Sequence, residues 1–133
     1  MGLMTLSPPQ IAAPTARILI VEDEGIIASH IASRLLKSGY AVAGIAESSE
    51  EALAKISGLN PDLILMDISI KGAMDGVETA AKVRERHDIP VIFLTAHADR
   101  QTIDRAKATG PFGFLTKPVH HMSLVLSCVS KRT

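Results

Sequence analysis

The sequence predicts an α/β domain built on a doubly wound parallel sheet, and three observations predict it. Short apolar runs without polar alternation recur from Arg17 onward; strands of that kind are buried on both faces, as in parallel sheets. Each run is followed by a stretch with apolar residues at helical spacing, the pattern that right-handed crossovers wind onto both faces of a sheet. The length of 133 residues and the 47% hydrophobic content suit one core and leave little room for a second.

Ile18 to Val21 is the first strand; Ile26, Ile27, Ile31, Leu35 and Leu36 follow at helical spacing, and Gly39 ends that helix. Ala41 to Ala46 is a second short strand. Glu50 to Ile56 is a helix with Ser48 or Ser49 to cap its start, broken by Gly58, Asn60 and Pro61. Leu63 to Met66 is a third run ending at Asp67, and the helix from Gly76 to Arg86 turns Val77, Ala80, Ala81 and Val83 inward. Beyond Pro90, Val91 to Leu94 is the fourth strand and Arg100 to Ala108 the next helix. Phe114 to Thr116 is the fifth strand, and Val119 to Val129 the last helix. The stripe of Val119, Met122, Val125, Leu126 and Val129 reads first as core packing and second as a dimer face. Residues 1 to 15, with Pro8, Pro9 and Pro14, read as a flexible tail ahead of a single domain over 16 to 133.

Composition removes several functions. Lysine plus arginine equals aspartate plus glutamate at 14 each, so no basic excess favours nucleic acid or an acidic membrane. With no tryptophan, one tyrosine and three phenylalanines, no platform for stacking bases is expected. The lone Cys128 reads as core and suits a reducing compartment. Met1 to Ala16 lacks the basic start of a secretory segment and no apolar run is long enough to span a bilayer, so the expected location is the cytoplasm. His30 and His87 read as ordinary helix residues, and the adjacent His120 and His121 as one surface residue and one in a capping or packing role.

In doubly wound sheets, ligands bind outside the carboxyl ends of the strands. There the sequence places Glu22, Asp23 and Glu24 after the first strand, Asp67 after the third, Thr95 after the fourth, and Lys117 with Pro118 after the fifth. Carboxylates gathered at one edge raise one another's pKa or share a cation, and an all-oxygen set suits Mg2+, with Mn2+ as the alternative. Asp23 and Asp67 are the expected direct ligands, Glu22 a ligand through water, and the Ser69 backbone carbonyl a further oxygen. An aspartate beside a hard cation, an ammonium and a hydroxyl is suited to accept a phosphoryl group. Asp67 is then the nucleophile, Lys117 stabilises the transferring charge, and the Thr95 hydroxyl donates to a phosphoryl oxygen.

These residues resemble the receiver domains of two-component response regulators. The resemblance runs from about Arg17 to the last helix. It rests on Ile-Leu-Ile-Val-Glu-Asp-Glu at 18 to 24, Asp-Leu-Ile-Leu-Met-Asp at 62 to 67, Val-Ile-Phe-Leu-Thr-Ala at 91 to 96 and Phe-Leu-Thr-Lys-Pro at 114 to 118, in that order. It implies a flavodoxin-like (βα)5 single domain with strand order 2-1-3-4-5, an order for which a receiver protein is the stock example. It implies a phosphoryl donor, a histidine kinase or histidine phosphotransfer domain, and an output protein or output domain. The chain is then a phosphoacceptor with self-catalysed transfer and autodephosphorylation, not a conventional enzyme. It also implies that Thr95 moves inward, that Phe114 changes rotamer, and that a partner or second copy binds the face of helix four, strand five and helix five. Ser69 and His97, two residues beyond Asp67 and Thr95, occupy positions that tune hydrolysis of the acyl phosphate in that family. The chain departs from the pattern in two places. Phe114 stands where tyrosine is common, and Ile68 to Gly76 lacks the usual proline and is about one residue longer.

Two other functions fit less well. A haloacid-dehalogenase-type phosphatase wants a second aspartate where this chain has Ser69, and a phosphorylation-independent interaction domain has no need to keep Asp67, Thr95 and Lys117 together. Neither Gly-x-Gly-x-x-Gly nor Gly-x-x-x-x-Gly-Lys follows the first strand, which removes a nucleotide site.

Overall fold

The computed structural model describes residues 15–132; residues 1–14 of the expected tail lie outside them. Five strands and five helices alternate: β1 (Arg17–Val21), α1 (Gly25–Lys37), β2 (Ala41–Ala46), α2 (Ser49–Leu59), β3 (Leu63–Asp67), α3 (Gly76–Arg86), β4 (Val91–Thr95), α4 (Arg100–Ala108), β5 (Gly113–Thr116) and α5 (Ser123–Arg132). The strands form one parallel sheet in the order β2-β1-β3-β4-β5. The sheet is doubly wound as the sequence pattern predicts, and its order is the flavodoxin-like one that the family resemblance implies.

The alternation of side chains along each strand divides the core in two. Ile18, Ile20, Leu63, Leu65, Ile92 and Leu94 face one side, where Ala28, Ile31 and Leu35 of α1 and Val125 and Cys128 of α5 cover them. Leu19, Val21, Ile64, Met66, Val91 and Phe93 face the other, against α2, α3 and α4. β1 and β3 are the central pair, and Ile18 to Val21 and Leu63 to Met66 are almost entirely shielded from solvent. No helix among the described residues is long and apolar enough to cross a membrane.

Helix ends follow local chemistry. Asp75 and Glu78 form a reciprocal capping box at the start of α3, and Ser48 and Asp99 cap α2 and α4. α2 runs through Gly58 to Leu59 instead of ending at Ile56, because the stop is supplied by Asn60 in the left-handed region at φ 47°. Three apolar residues expected inward are not. Ile26 and Leu36 are 89% and 60% exposed; each lies five residues from the buried Ile31, about 140° around the helix. Ala81 is exposed beside the buried Ala80 for the same rotational reason.

The last helix starts at Ser123, not Val119. The Met122 carbonyl accepts the Leu126 N–H at 2.9 Å, so the helical ladder opens there. Val119 and Met122 still reach the core, from the connection before the helix, while Leu126 is 57% exposed. Cys128 is buried as expected. His120 and His121 are both exposed, and His121 Nδ1 lies 3.2 Å from Ser123 Oγ at the helix start.

Candidate functional site

The strand register decides which residues meet at the carboxyl edge. Val21 stands beside Met66, Asp67 beside Leu94, and Thr95 beside Thr116. Glu22 leaves β1 still attached to the sheet, its N–H donating to the Ala46 carbonyl at 2.9 Å. Lys117 leaves β5 the same way, its N–H donating to the Thr95 carbonyl at 2.8 Å. The Lys117–Pro118 peptide bond is cis.

Three carboxylates converge: one oxygen each of Glu22, Asp23 and Asp67 lie within 4.8 Å of one another. Glu22 is fully buried and Asp67 nearly so, while Asp23 is half-buried. Lys117 reaches into this group from the far side, its Nζ 2.9 Å from Glu22 Oε1 and 3.1 Å from Asp67 Oδ2. Burial pushes the Glu22 carboxyl above its ordinary range, and the Asp67 carboxylate beside it adds to the rise; Lys117 opposes both. Burial alone would lower the Lys117 ammonium, but its hydrogen bonds to Glu22 and Asp67 outweigh that, and its pKa goes up. The lysine therefore stays charged as a fixed donor. One ammonium does not balance three carboxylates, and the remaining oxygens form an all-oxygen set of the kind a hard divalent cation takes. The residues fit such an ion.

Asp67 is fixed from both sides of the chain. The Ser69 N–H donates to Asp67 Oδ1 at 3.2 Å. The start of α3 sits so close to the Asp67 backbone that a Cβ on Gly76 would lie 1.9 Å from its carbonyl oxygen, and the Gly76 N–H donates to the Ile68 carbonyl at 2.8 Å. Any side chain at 76 would displace the aspartate. Reasoning from the sequence placed Gly76 at the helix start but missed this contact; the Asp-Gly pair closing the loop was the available signal.

The remaining predicted residues lie on the β4 and β5 side. Thr95 is half-buried, and among the described residues its hydroxyl joins no hydrogen bond with the acidic cluster. Ser69 and His97 are both exposed. Phe114 is half-buried with its ring on the fully buried Phe93, centroids 5.6 Å apart. Beside the cluster, a groove of about 520 Å³ opens between α1 and the β5–α5 connection, lined by Ile26, Ile27, His30, Ala96, Lys117 and Pro118 among others.

A parallel 2-1-3-4-5 sheet with carboxylates, a hydroxyl residue and a lysine at its strand ends defines a class of signalling domain, and comparison with known proteins agrees. The response regulator receiver domain family matches residues 18–128, and the chain belongs to that family. It is 32% identical over 114 residues to the transcriptional regulatory protein PdtaR of Mycobacterium tuberculosis, covering 86% of this chain and 55% of that protein. It is 37% identical over 109 residues to the transcriptional regulatory protein YvrH of Bacillus subtilis, covering 82% of this chain and 46% of that protein. The chain thus spans about half the length of these relatives. Among solved structures, the signal receiver domain of a modulated diguanylate cyclase from Desulfovibrio desulfuricans G20 superposes with a TM-score of 0.81 at 38% identity, over 89% of this chain and 93% of that one. A CheY-like response regulator receiver domain from Methanospirillum hungatei JF-1 superposes at 0.76 with 29% identity, over 89% and 94%. The protein is a receiver domain of two-component response regulators, consistent with a phosphoacceptor role in that signalling.

Proposed function

We propose that Asp67 accepts a phosphoryl group from a phosphohistidine on a histidine kinase or phosphotransfer domain, in the cytoplasm, with Mg2+ bound. The observation that carries this reading is the Lys117 ammonium held between Glu22 and Asp67 at the sheet edge, beside Asp23. An Asp67 carboxylate oxygen attacks phosphorus; the O–P bond forms as the N–P bond breaks, and the departing electron pair returns to the imidazole, which takes a proton from solvent. Lys117 is already placed to pair with a phosphoryl oxygen, so the site needs little reorganisation as charge develops. The Thr95 hydroxyl donates to a second phosphoryl oxygen. Asp23, Asp67, the Ser69 carbonyl and, through water, Glu22 would hold Mg2+, which would supply positive charge to offset that of the phosphoryl oxygens.

The groove beside Lys117 suits the approach of a donor helix: Ile26 at its rim is 89% exposed, an unusual degree for an isoleucine. Phosphorylation then draws Thr95 inward and changes the rotamer of Phe114, whose ring lies on Phe93 in this structure, and the α4–β5–α5 face changes its affinity for an output protein or a second copy. A phosphoryl group can shift this equilibrium only by contacts it makes better in one state, and Thr95 and Lys117 are those contacts. Ser69 and His97 flank the acyl phosphate and set its lifetime.

The test is intact mass after incubation with acetyl phosphate, with and without magnesium, alongside Asp67→Asn. The expected result is one magnesium-dependent, hydroxylamine-labile phosphoryl adduct that the variant lacks. An adduct of equal extent in Asp67→Asn would overturn the assignment.

A further inference from the structure

The loop after β3, about one residue longer than the receiver pattern that the sequence resembles, has an anchor in the structure. Between Ile68, whose N–H still bonds the Leu94 carbonyl at 3.1 Å, and Gly76, the chain leaves the sheet and lies on the start of α2. The Lys71 carbonyl accepts the Ser49 N–H at 3.1 Å, and Ser48 and Lys71 form an isolated parallel bridge. At Gly72 the backbone turns through φ +115°, and a Cβ there would lie 2.5 Å from Ser49 Oγ and 2.6 Å from Glu50 Oε1. The Ala73 N–H donates to Glu50 Oε1 at 2.8 Å and the Met74 N–H to Ser49 Oγ at 3.3 Å. Ser49 Oγ–H in turn donates to Glu50 Oε1 at 2.9 Å, and Ser49 is completely buried. Lys71, Ala73 and Met74 are therefore hydrogen-bonded to Ser49 or Glu50, with Gly72 packed against the same two side chains, and Asp75 is committed to capping α3.

We infer that Ser49 and Glu50 are positioning residues for the cation and phosphoryl site, holding the 69–75 loop so that Ser69 stays beside Asp67. The inference rests on reading the Asp67 cluster as that site. The geometry favours it over simple loop stabilisation because the tether acts on backbone amides of the segment that begins at the phosphoacceptor. Only Ser69 and Ile70 lie between Ile68 and the first tethered residue. Outer partners that orient ligands in this way typically change metal affinity by about 10- to 100-fold when removed. The Ala73 N–H and the Ser49 hydroxyl also hold the Glu50 carboxyl below its ordinary range, so the contact persists through neutral pH.

The experiment uses the whole chain and two readouts, amide hydrogen exchange without metal and Mg2+ affinity by calorimetry without phosphodonor. Glu50→Ala is expected to speed exchange at Ala73 and Met74 and to weaken Mg2+ binding about tenfold. Glu50→Gln keeps the oxygen that both donors use and is expected to restore both readouts to within about twofold of wild type. Gly72→Ala keeps Glu50 but forces its Cβ into the tether, and is expected to behave as Glu50→Ala. Wild-type Mg2+ affinity in Glu50→Ala would overturn the inference and leave the phosphoacceptor reading standing. A Gln variant as weak as Ala would overturn it too, since charge and not position would then be the cause. Wild-type protein that binds no Mg2+ would overturn both, and the separate mass measurement with acetyl phosphate tells whether Asp67 reacts.

Discussion

At the ends of β1, β3 and β5 the site's side chains are already in contact, with Lys117 2.9 Å from Glu22 and 3.1 Å from Asp67. At the end of β4, Thr95 and His97 stand apart from that network. Thr95 is only half-buried, His97 is exposed, and neither hydrogen-bonds to the acidic cluster among the described residues. The difference follows from charge. Carboxylates removed from water must be compensated in the resting protein, so Lys117 is recruited whether or not a phosphoryl group is present. A hydroxyl carries no such obligation and can wait at the rim. One half of the site is set by the cost of burying charge; the other carries no such charge to compensate.

The strongest way to break this comparison is Lys117→Ala, which leaves Glu22 and Asp67 buried without their ammonium. We expect the rate of adduct formation with acetyl phosphate to fall by about 100-fold or more, read by intact mass. A loss under tenfold would mean that the prearranged contact is incidental.

Thr95→Ala sharpens the division. The expected outcome is a smaller loss of adduct rate, about tenfold, with calorimetric Mg2+ affinity unchanged. A fall in Mg2+ affinity would show the two halves to be one network after all.

Glu22→Gln isolates the burial cost. The raised pKa of Glu22 means that its contribution to stability is complete below its ordinary value of 4.5 and is lost as pH rises through the higher value it has in the folded chain. Glutamine has no such loss. Metal-free Glu22→Gln should therefore melt at a higher temperature than wild type at pH 7, with the advantage shrinking as pH falls and vanishing below the ordinary glutamate value of 4.5. Scanning calorimetry at several pH values checks both, and an advantage that grows toward acid would reverse the explanation.

Phe114→Leu carries the smallest effect. The ring is half-buried on Phe93, so its replacement should lower unfolding stability by about 1 kcal/mol in urea and leave adduct formation unchanged. A larger effect on adduct rate than on stability would join Phe114 to the charged half.

Much of the architecture was legible because parallel strands covered on both faces must be continuous apolar runs. Ile18 to Val21, Leu63 to Met66 and Val91 to Leu94 leave no alternative period, and the capped helices α3 and α4 begin and end where the sequence places them. Errors came where one residue more or less of helix rotation decides burial, as at Ile26, Leu36 and Ala81. The start of α5 was misplaced because Val119 and Met122 are apolar enough to continue a helical stripe, yet they are buried by the connection after Pro118 instead. Apolar spacing reports which residues are buried more surely than the backbone shape that buries them.

The sequence by itself determined the sheet, its strand-end chemistry and the order of Asp23, Asp67, Thr95 and Lys117 along the chain, since each of these depends on local pattern and on the rule that ligands gather at the carboxyl edge. Only the tertiary structure decided that Lys117 bridges Glu22 and Asp67, that Gly76 admits the Asp67 backbone, and that Ser49 and Glu50 bond the backbone of Lys71, Ala73 and Met74. Those contacts join residues far apart in the chain, and register and loop path bring them within hydrogen-bonding distance. No local propensity encodes a distance of that kind; it emerges when the two core faces are packed and the segments between them have to close.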